Sequence, residues 1–166
     1  MDLAEFYDYK NLLMKTLCSD QEIVQLVTGN EDARVPNHEL PYTQLFSYEF
    51  IPETVSEAKT FICFDVDIVS VPNKTYYMPV LYIWMFTHKS NVRMEKGGLL
   101  LDRLCVAVNR LLNGSRFFGL GHLKLDSVER FVPIADYLGR AMTFYAIDFN
   151  RYTAGDKTPG NRKRGY

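Results

Sequence analysis

The sequence predicts an α+β fold, with a mainly antiparallel β-sheet and helices packed on one of its faces. Strand-like runs follow one another instead of alternating strictly with helices, an order typical of antiparallel sheets. Each helix-like run has one apolar stripe, which a single sheet face can bury. The chain has 166 residues, of which 47% are hydrophobic. That length and composition predict one domain with a sizeable core.

Two helices are expected at the start of the chain. Over residues 3–17, apolar side chains recur at three- and four-residue steps, as they do on one face of a helix. Ser19 and Glu22 have the spacing of a capping box, and Gly29 is a residue type that commonly ends helices. These signals predict a short second helix over residues 20–28.

A long crossing segment is expected next, over about residues 30–59. It contains Pro36, Pro41, Pro52 and many polar residues, which interrupt regular structure. Residues 42–50 nevertheless have the pattern of a strand.

The centre of the chain predicts a β-hairpin. In residues 60–71 one alternating set is apolar, and the opposite set contains Asp65 and Asp67. Turn-forming residues at 71–74 lead into a strand over 75–88 whose two faces are both apolar. The second strand is therefore expected to lie inside the sheet.

One helix and two strands complete the predicted fold. Gly97-Gly98 precede an amphipathic helix over Leu100–Leu112, and Asn113-Gly114 end it. Alternating patterns then predict strands over 121–131 and 139–150.

The C-terminal segment 151–166 is expected to be a basic arm on a single domain formed by residues 1–150. The whole chain has a net charge of −1, a balance that argues against a dedicated nucleic-acid binder. The arm carries five bases and one acid, giving +4 and leaving −5 on the rest. We expect the arm to bind an acidic surface, with a neighbouring protein preferred over nucleic acid, through Arg162, Lys163 and Arg164.

No catalytic, cofactor or metal site is predicted. The cysteines and histidines lack the spacings of zinc sites or catalytic motifs, and they are read as core thiols and as surface or capping histidines. They are Cys18, Cys63, Cys105, His38, His88 and His122. The Gly-x-Gly at 119–121 lacks the context of a phosphate loop. No leader peptide is expected, and no apolar run approaches the roughly 20 residues of a membrane span.

Two further patterns leave alternatives open. Asp65 and Asp67 project from one strand face, where they suit a hard cation, repulsion of DNA phosphate or, as the preferred interpretation, a solvated or interfacial surface. Aromatic residues at even spacing suit either a subunit contact or an ordinary core strand. They are Tyr42, Phe46, Tyr48 and Phe50.

The order of these segments and their residue patterns resemble those of the neck and tail-completion proteins of long-tailed bacteriophages, in particular the tail terminators. The resemblance covers nearly the whole chain. It includes the leading helix, Leu40-Pro41-Tyr42-Thr43 before a strand, the hairpin of 61–70 and Tyr76–His88, the helix Leu100–Leu112, and the closing strand 139–150.

The resemblance implies a structural virion protein without enzymatic activity or cofactor. It implies a ring, expected to be a hexamer, that caps the tail tube and later docks to the head connector or stopper. Phage DNA would pass through its lumen without sequence recognition. The expected location is the virion neck, with assembly in the host cytoplasm, and no membrane partner is expected.

On this interpretation Asp65 and Asp67 are candidates to line the DNA channel. The candidate contacts between subunits are Tyr42, Tyr48, Phe50, Lys74, Tyr76, Arg162, Lys163 and Arg164. The crossing segment and the arm depart from the compact terminator pattern, so a head–tail adaptor or stopper is the nearest alternative. A small cytoplasmic α+β enzyme or ligand-binding domain is a further one.

Overall fold

A computed structural model describes residues 3–52, 58–70, 76–116, 122–146 and 148–149. The helices are α1 (Leu3–Ser19), α2 (Gln21–Thr28) and α3 (Leu100–Leu112), with a 3-10 turn at Lys89–Asn91. The strands are β1 (Leu45–Phe46), β2 (Thr60–Ser70), β3 (Tyr76–His88), β4 (Lys124–Phe131), β5 (Tyr137–Tyr145) and β6 (Asp148–Phe149). The predicted α+β class is confirmed.

The strands form one sheet in the order β1-β2-β3-β5-β4, and β6 pairs with β3 beyond the end of β5. Only the β1–β2 pair is parallel among the described strands. The β2–β3 ladder is continuous from Thr60 opposite Thr87 to Ser70 opposite Tyr77. The expected central position of β3 is therefore confirmed.

The main core lies between the helices and one face of the sheet. Alternation along the strands places one apolar set on this face, and the apolar stripes of α2 and α3 cover it. Its buried members include Ile62, Phe64, Val66, Leu81, Ile83, Met85, Met142 and Phe144 from the strands, and Ile23, Val24, Leu104 and Val108 from the helices. This confirms the prediction that the Leu100–Leu112 helix packs on the sheet.

The start of α2 differs from the predicted capping box. Ser19 is the last residue of α1, and Asp20 is the N-cap, with its Oδ1 accepting a hydrogen bond from the Ile23 N–H at 3.0 Å. Glu22 binds arginines of α3 instead of capping its own helix. Gly29 ends α2 at φ 68°, as predicted.

The expected strand over residues 42–50 is wrong except at β1. The Leu40 carbonyl accepts hydrogen bonds from the N–H groups of Thr43, Gln44 and Leu45, so the chain turns before β1 begins. Tyr42 lies in the left-handed region at φ 59°, which is incompatible with an extended strand.

The last two predicted strands have different bounds in the structure, and the second begins at Tyr137, earlier than the predicted residue 139. The first begins at Lys124, and the second is divided into β5 and β6, since Ala146 lies between them with its N–H donating to the Pro79 carbonyl at 3.0 Å. The predicted turn at 71–74, the Gly-x-Gly at 119–121 and the basic arm at 151–166 lie outside the described residues.

Candidate interaction surface

The sheet face opposite the helices is only partly covered. A second apolar cluster occupies one half of it and consists of buried Phe46, Phe61, Cys63, Phe86 and Tyr137. Farther along the same strands, Asp65 and Tyr82 are partly exposed and Asp67 and Val69 are exposed, whereas Val80 is buried. Tyr82 stacks on Trp84 with ring centroids 5.9 Å apart. This face therefore offers both aromatic and acidic side chains to an interaction.

The crossing segment carries an exposed aromatic surface, which we call the tyrosine shelf and define as Tyr42 and Tyr48. Their exposed fractions are 60% and 47%, and Ile51, farther along the segment, is 42% exposed. The two tyrosine rings lie 6.4 Å apart and nearly parallel. Phe46 supports the shelf from beneath, with its ring 5.6 Å from that of Tyr48. Clustered exposed apolar side chains of this kind are typical of interaction sites.

Local backbone geometry holds Tyr42 in its exposed position. A left-handed conformation for a bulky residue costs of the order of 1–3 kcal/mol and persists only where neighbouring contacts impose it. The Tyr42 N–H donates to the Leu45 carbonyl at 2.7 Å, and the Tyr42 hydroxyl lies 3.3 Å from Ser47 Oγ. These contacts hold Tyr42 against the Leu45–Ser47 segment.

Lys10 of α1 connects the segment that carries the shelf to the acidic residues Asp65 and Asp67 of β2. Lys10 Nζ lies 2.5 Å from Asp65 Oδ1 and also donates to the Ser47 carbonyl at 3.3 Å. Asp65 and Asp67 share one sheet face, opposite Tyr82 and Val80 respectively, as their spacing predicts. Asp67 is exposed, whereas the charge of Asp65 is balanced by Lys10.

The other predicted contact residues have different surroundings. Phe50 is half-buried and stacks on Phe46 at 4.0 Å, so it contributes to the second apolar cluster more than to the surface. Tyr76 is in β3, with its backbone paired to Phe149. Lys74 and the arm residues Arg162, Lys163 and Arg164 lie outside the described residues.

An ionic cluster between α2 and α3 was not predicted. Glu22 Oε1 accepts from Arg103 Nε at 3.0 Å, and Arg110 binds both Glu22 and Asp20, the latter at 2.8 Å. Hydrogen bonds from Arg103 and Arg110 lower the pKa of the Glu22 carboxyl below its ordinary value. Only the opposite charges of the two helices were visible in the sequence, because the partners are 81–90 residues apart.

The cysteines have the environment of core residues, as predicted. Cys18 and Cys63 are buried and Cys105 is partly buried. Burial raises the pKa of the Cys63 thiol to about 12, and those of Cys18 and Cys105 to about 11. All three thiols are therefore protonated at neutral pH.

The histidines also match their predicted roles. His88 caps the 3-10 turn, its Nδ1 accepting from the Ser90 N–H at 3.3 Å. His122 is exposed and hydrogen-bonded to the Gly114 carbonyl, and His38 is exposed. Among the described residues, no group of three histidine, cysteine or acidic side chains is arranged to hold a metal ion.

A groove of about 920 Å³ lies beside the C-terminal end of α2. Its charged lining residues are four acids and four bases, namely Glu22, Glu31, Asp32, Glu95, Lys59, Arg93, Lys96 and Arg103. Two pairs within it neutralise each other, Lys96 with Glu31 at 2.7 Å and Arg103 with Glu22. The lining thus favours neither an anion nor a cation.

Comparison with known proteins gives one family. The profile of a family described as YomW matches residues 20–146, about three quarters of the chain, from the N-cap of α2 to the end of β5 and the residue after it. The family name is phage-derived. No curated protein matches the chain significantly. Within the part of the chain that the structure describes, no helix is long and apolar enough to cross a membrane.

Proposed function

This chain belongs to the YomW family, and on that premise we propose that it is a structural protein of a phage neck. Its proposed role is a tail terminator that forms a ring on the end of the tail tube and joins the tail to the head connector around the DNA channel. The observation that carries the proposal is the match to a phage-derived family over most of the folded domain. The α+β fold agrees with the class that the resemblance implies.

The tyrosine shelf supports a role in assembly. Copies in a ring bind through persistent surfaces, and tyrosine is favoured at such contacts because its ring is apolar and its hydroxyl is polar. Tyr42 and Tyr48 expose 60% and 47% of their surface in the isolated chain. Contact with a neighbouring copy or ring would remove this apolar area from water.

The acidic side of β2 suits the proposed DNA channel. A basic lining would release counterions from DNA and retain it, whereas an acidic or neutral one permits passage. Asp67 is exposed and supplies open negative charge, while Lys10 balances Asp65. We therefore propose that Asp67, more than Asp65, repels DNA phosphate in the channel.

A head–tail adaptor or stopper is the second candidate. The observation that favours it is the crossing segment, whose described residues 30–52 expose side chains beyond the helices and the sheet. Such a surface suits a protein that contacts two different rings. Both candidates are neck proteins, but they act on different partners.

Loss of the protein from the phage separates these roles. Without a terminator, tube growth has no cap, so we expect tails of excessive and variable length and few joined particles in electron micrographs. Without an adaptor or stopper, tails of normal length should accumulate beside unjoined heads. Supplying the intact chain from a plasmid is the control. Normal, infectious particles lacking this protein would contradict both candidates and favour an enzyme or ligand-binding domain.

A further inference from the structure

The helix side of the sheet is only partly covered at β4, the strand at one edge. Helix α3 packs on β3 and β5. Val128 of β4 remains 45% exposed, although it lies opposite the core residue Met142. Arg130 projects from the same face two residues farther along and is exposed. This face of β4 therefore presents an apolar and a basic side chain about 7 Å apart, at the usual rise of a strand.

A cleft of about 270 Å³ joins this face of β4 to the start of α3. We call it the arginine cleft and define it as Leu99, Arg130 and Arg140, three of the residues that line it. Leu99 is 44% exposed. The volume is below the roughly 300–1,000 Å³ of small-molecule pockets, so the cleft suits a side chain of a partner better than a free ligand.

The arginine cleft carries an unbalanced positive charge. Arg130 lies directly opposite Arg140 in the β4–β5 ladder, and like charges in this arrangement repel each other. Arg140 Nη2 donates to Asp102 Oδ1 at 3.0 Å, whereas Arg130 forms no ion pair within the described part of the chain. A carboxylate supplied by a partner would balance the charge of Arg130.

The tyrosine shelf has the complementary charge. Between Glu39 and Pro52 the charged residues are Glu39 and Glu49, and both are exposed. Neither forms an ion pair with any residue whose position is described. Glu49 directly follows Tyr48, so a carboxylate lies beside the exposed ring. Tyrosine and arginine are also the residue types enriched at the centres of protein interfaces.

A chain cannot place its shelf in its own arginine cleft. The shelf adjoins β1, through the contacts of Tyr42 with Leu45 and of Tyr48 with Phe46. The cleft adjoins β4, at the other end of the strand order β1-β2-β3-β5-β4. Four strand spacings separate these ends, about 19 Å in all. Any contact between the two surfaces must therefore join two copies.

We propose that the tyrosine shelf of one copy docks on the arginine cleft of the next. Glu49 pairs with Arg130, and the tyrosine rings pack against the exposed side chains of Val128 and Leu99. The contact is head-to-tail, because each copy contributes a different edge of its sheet. Contacts of this type produce a closed ring when the rotation between successive copies closes. The proposal rests on the ring of the proposed function and names the interface that builds it.

Disulfide trapping between full-length chains tests this contact. A tagged Tyr48→Cys chain is mixed with an untagged Val128→Cys chain at high concentration under mild oxidation. Because docking brings the two thiols together, we expect a mixed dimer about tenfold more abundant than with Val69→Cys. Val69 is a matched control on β2, since it is 41% exposed and Val128 is 45% exposed. The natural thiols should react slowly because they are buried or partly buried. A mixed dimer no more abundant than the control would overturn the proposal.

A chain that carries both Tyr48→Cys and Val128→Cys extends the test. It should give a ladder of covalent multimers, since each copy then has both halves of the contact. A disulfide within one chain is excluded, because its Cα atoms must lie within about 7 Å and the two positions are at opposite ends of the sheet.

Other occupants of the two surfaces give different products. A symmetric dimer through Val128→Cys alone would show that two β4 edges pair with each other. A symmetric dimer through Tyr48→Cys alone would show that two shelves meet. Trapping of Tyr48→Cys by Gly165→Cys, in place of Val128→Cys, would show that the basic arm occupies the shelf. Each of these products would overturn the proposal.

Charge reversal provides an independent readout. Arg130→Glu in the Val128→Cys chain, or Glu49→Arg in the Tyr48→Cys chain, should each lower the yield of mixed dimer several-fold. Combining the two reversals should restore it. Lys124→Glu is the matched control, since Lys124 is exposed on the same strand but on its other face, and it should leave the yield unchanged. If neither reversal changes the yield, the pairing of Glu49 with Arg130 is wrong.

The failures of the two proposals can be told apart. Rings of the intact chain that form without the Tyr48–Val128 cross-link would overturn this interface and leave the ring standing. A strong cross-link in a protein that is missing from purified phage particles would keep the interface and overturn the neck function.

Discussion

Gly139 on β5 provides a direct test of how the sheet is packed. A Cβ atom at this position would lie 2.7 Å from the Met85 carbonyl oxygen, and 3.0 Å from both the carbonyl oxygen and Cδ1 of Phe131. Two of these three atoms are backbone atoms of the neighbouring strands β3 and β4, which cannot move without distorting the ladder. Gly139 thus allows three strands to pass close together while the Phe131 ring covers it.

Gly139→Ala should destabilise the protein. Overpacking of a buried site typically costs about 1–3 kcal/mol. Loss of unfolded-state freedom on replacing glycine offsets about 0.4–1 kcal/mol of that. The net expectation is a loss of roughly 1–2 kcal/mol, with the larger value favoured because the 2.7 Å contact is with backbone. For a chain of this length that corresponds to a lower Tm by roughly 2–8 °C.

Urea unfolding followed by circular dichroism measures this change. Thr143→Ala is the matched control, since Thr143 is a partly exposed residue on the same strand and the same face and should change stability little. Adding Phe131→Ala to Gly139→Ala should not restore stability, because both carbonyl contacts remain. If Gly139→Ala is as stable as the natural chain, the close approach of the strands described above is incorrect.

Four further predictions address the core, the ionic cluster, the channel and the arm. Leu104→Ala should lower the free energy of unfolding by about 2–5 kcal/mol in the same assay, because Leu104 is fully buried in the main core. Because the pKa of Glu22 is lowered in the folded state, its ionised form stabilises the fold at pH values above the ordinary glutamate pKa of about 4.3. This contribution is lost as the pH falls through the folded-state pKa. Glu22→Gln should therefore flatten that part of a plot of unfolding free energy against pH. Replacing Asp65 and Asp67 by Lys should slow DNA ejection from assembled particles, and unchanged ejection kinetics would remove them from the channel. Deleting residues 158–166 should leave the Tm nearly unchanged and reduce joined particles, most clearly at low salt, where the charge contacts of the arm are least screened; equal yields across a salt series would show that the arm is dispensable.

Patterns within about a dozen residues were enough to predict most of the elements. Local geometry alone produces the apolar stripes of α1 and α3, the alternation of β2 and the helix end at Gly29. The sequence therefore predicts where these elements lie. The α+β class followed from the order of these elements. The burial of the cysteines was predictable too, because each lies among apolar neighbours within its own element.

The tertiary structure decided which surfaces meet. Lys10 contacts Ser47 and Asp65, which are 37 and 55 residues away in the sequence. Glu22 binds the arginines of α3 and does not cap its own helix, because these long-range contacts outweigh the local capping preference. Residues 42–50 of the crossing segment were expected to form a strand, but turns at Leu40 and the positive φ of Tyr42 leave only two residues of strand. Alternation identifies the buried side of a strand but not what lies against it, since the covering segment can come from anywhere in the chain. The sequence alone named Tyr42, Tyr48 and Phe50 as candidate contacts, but only the placement of the crossing segment beside β2 showed that the two tyrosines are exposed and that Phe50 is half-buried.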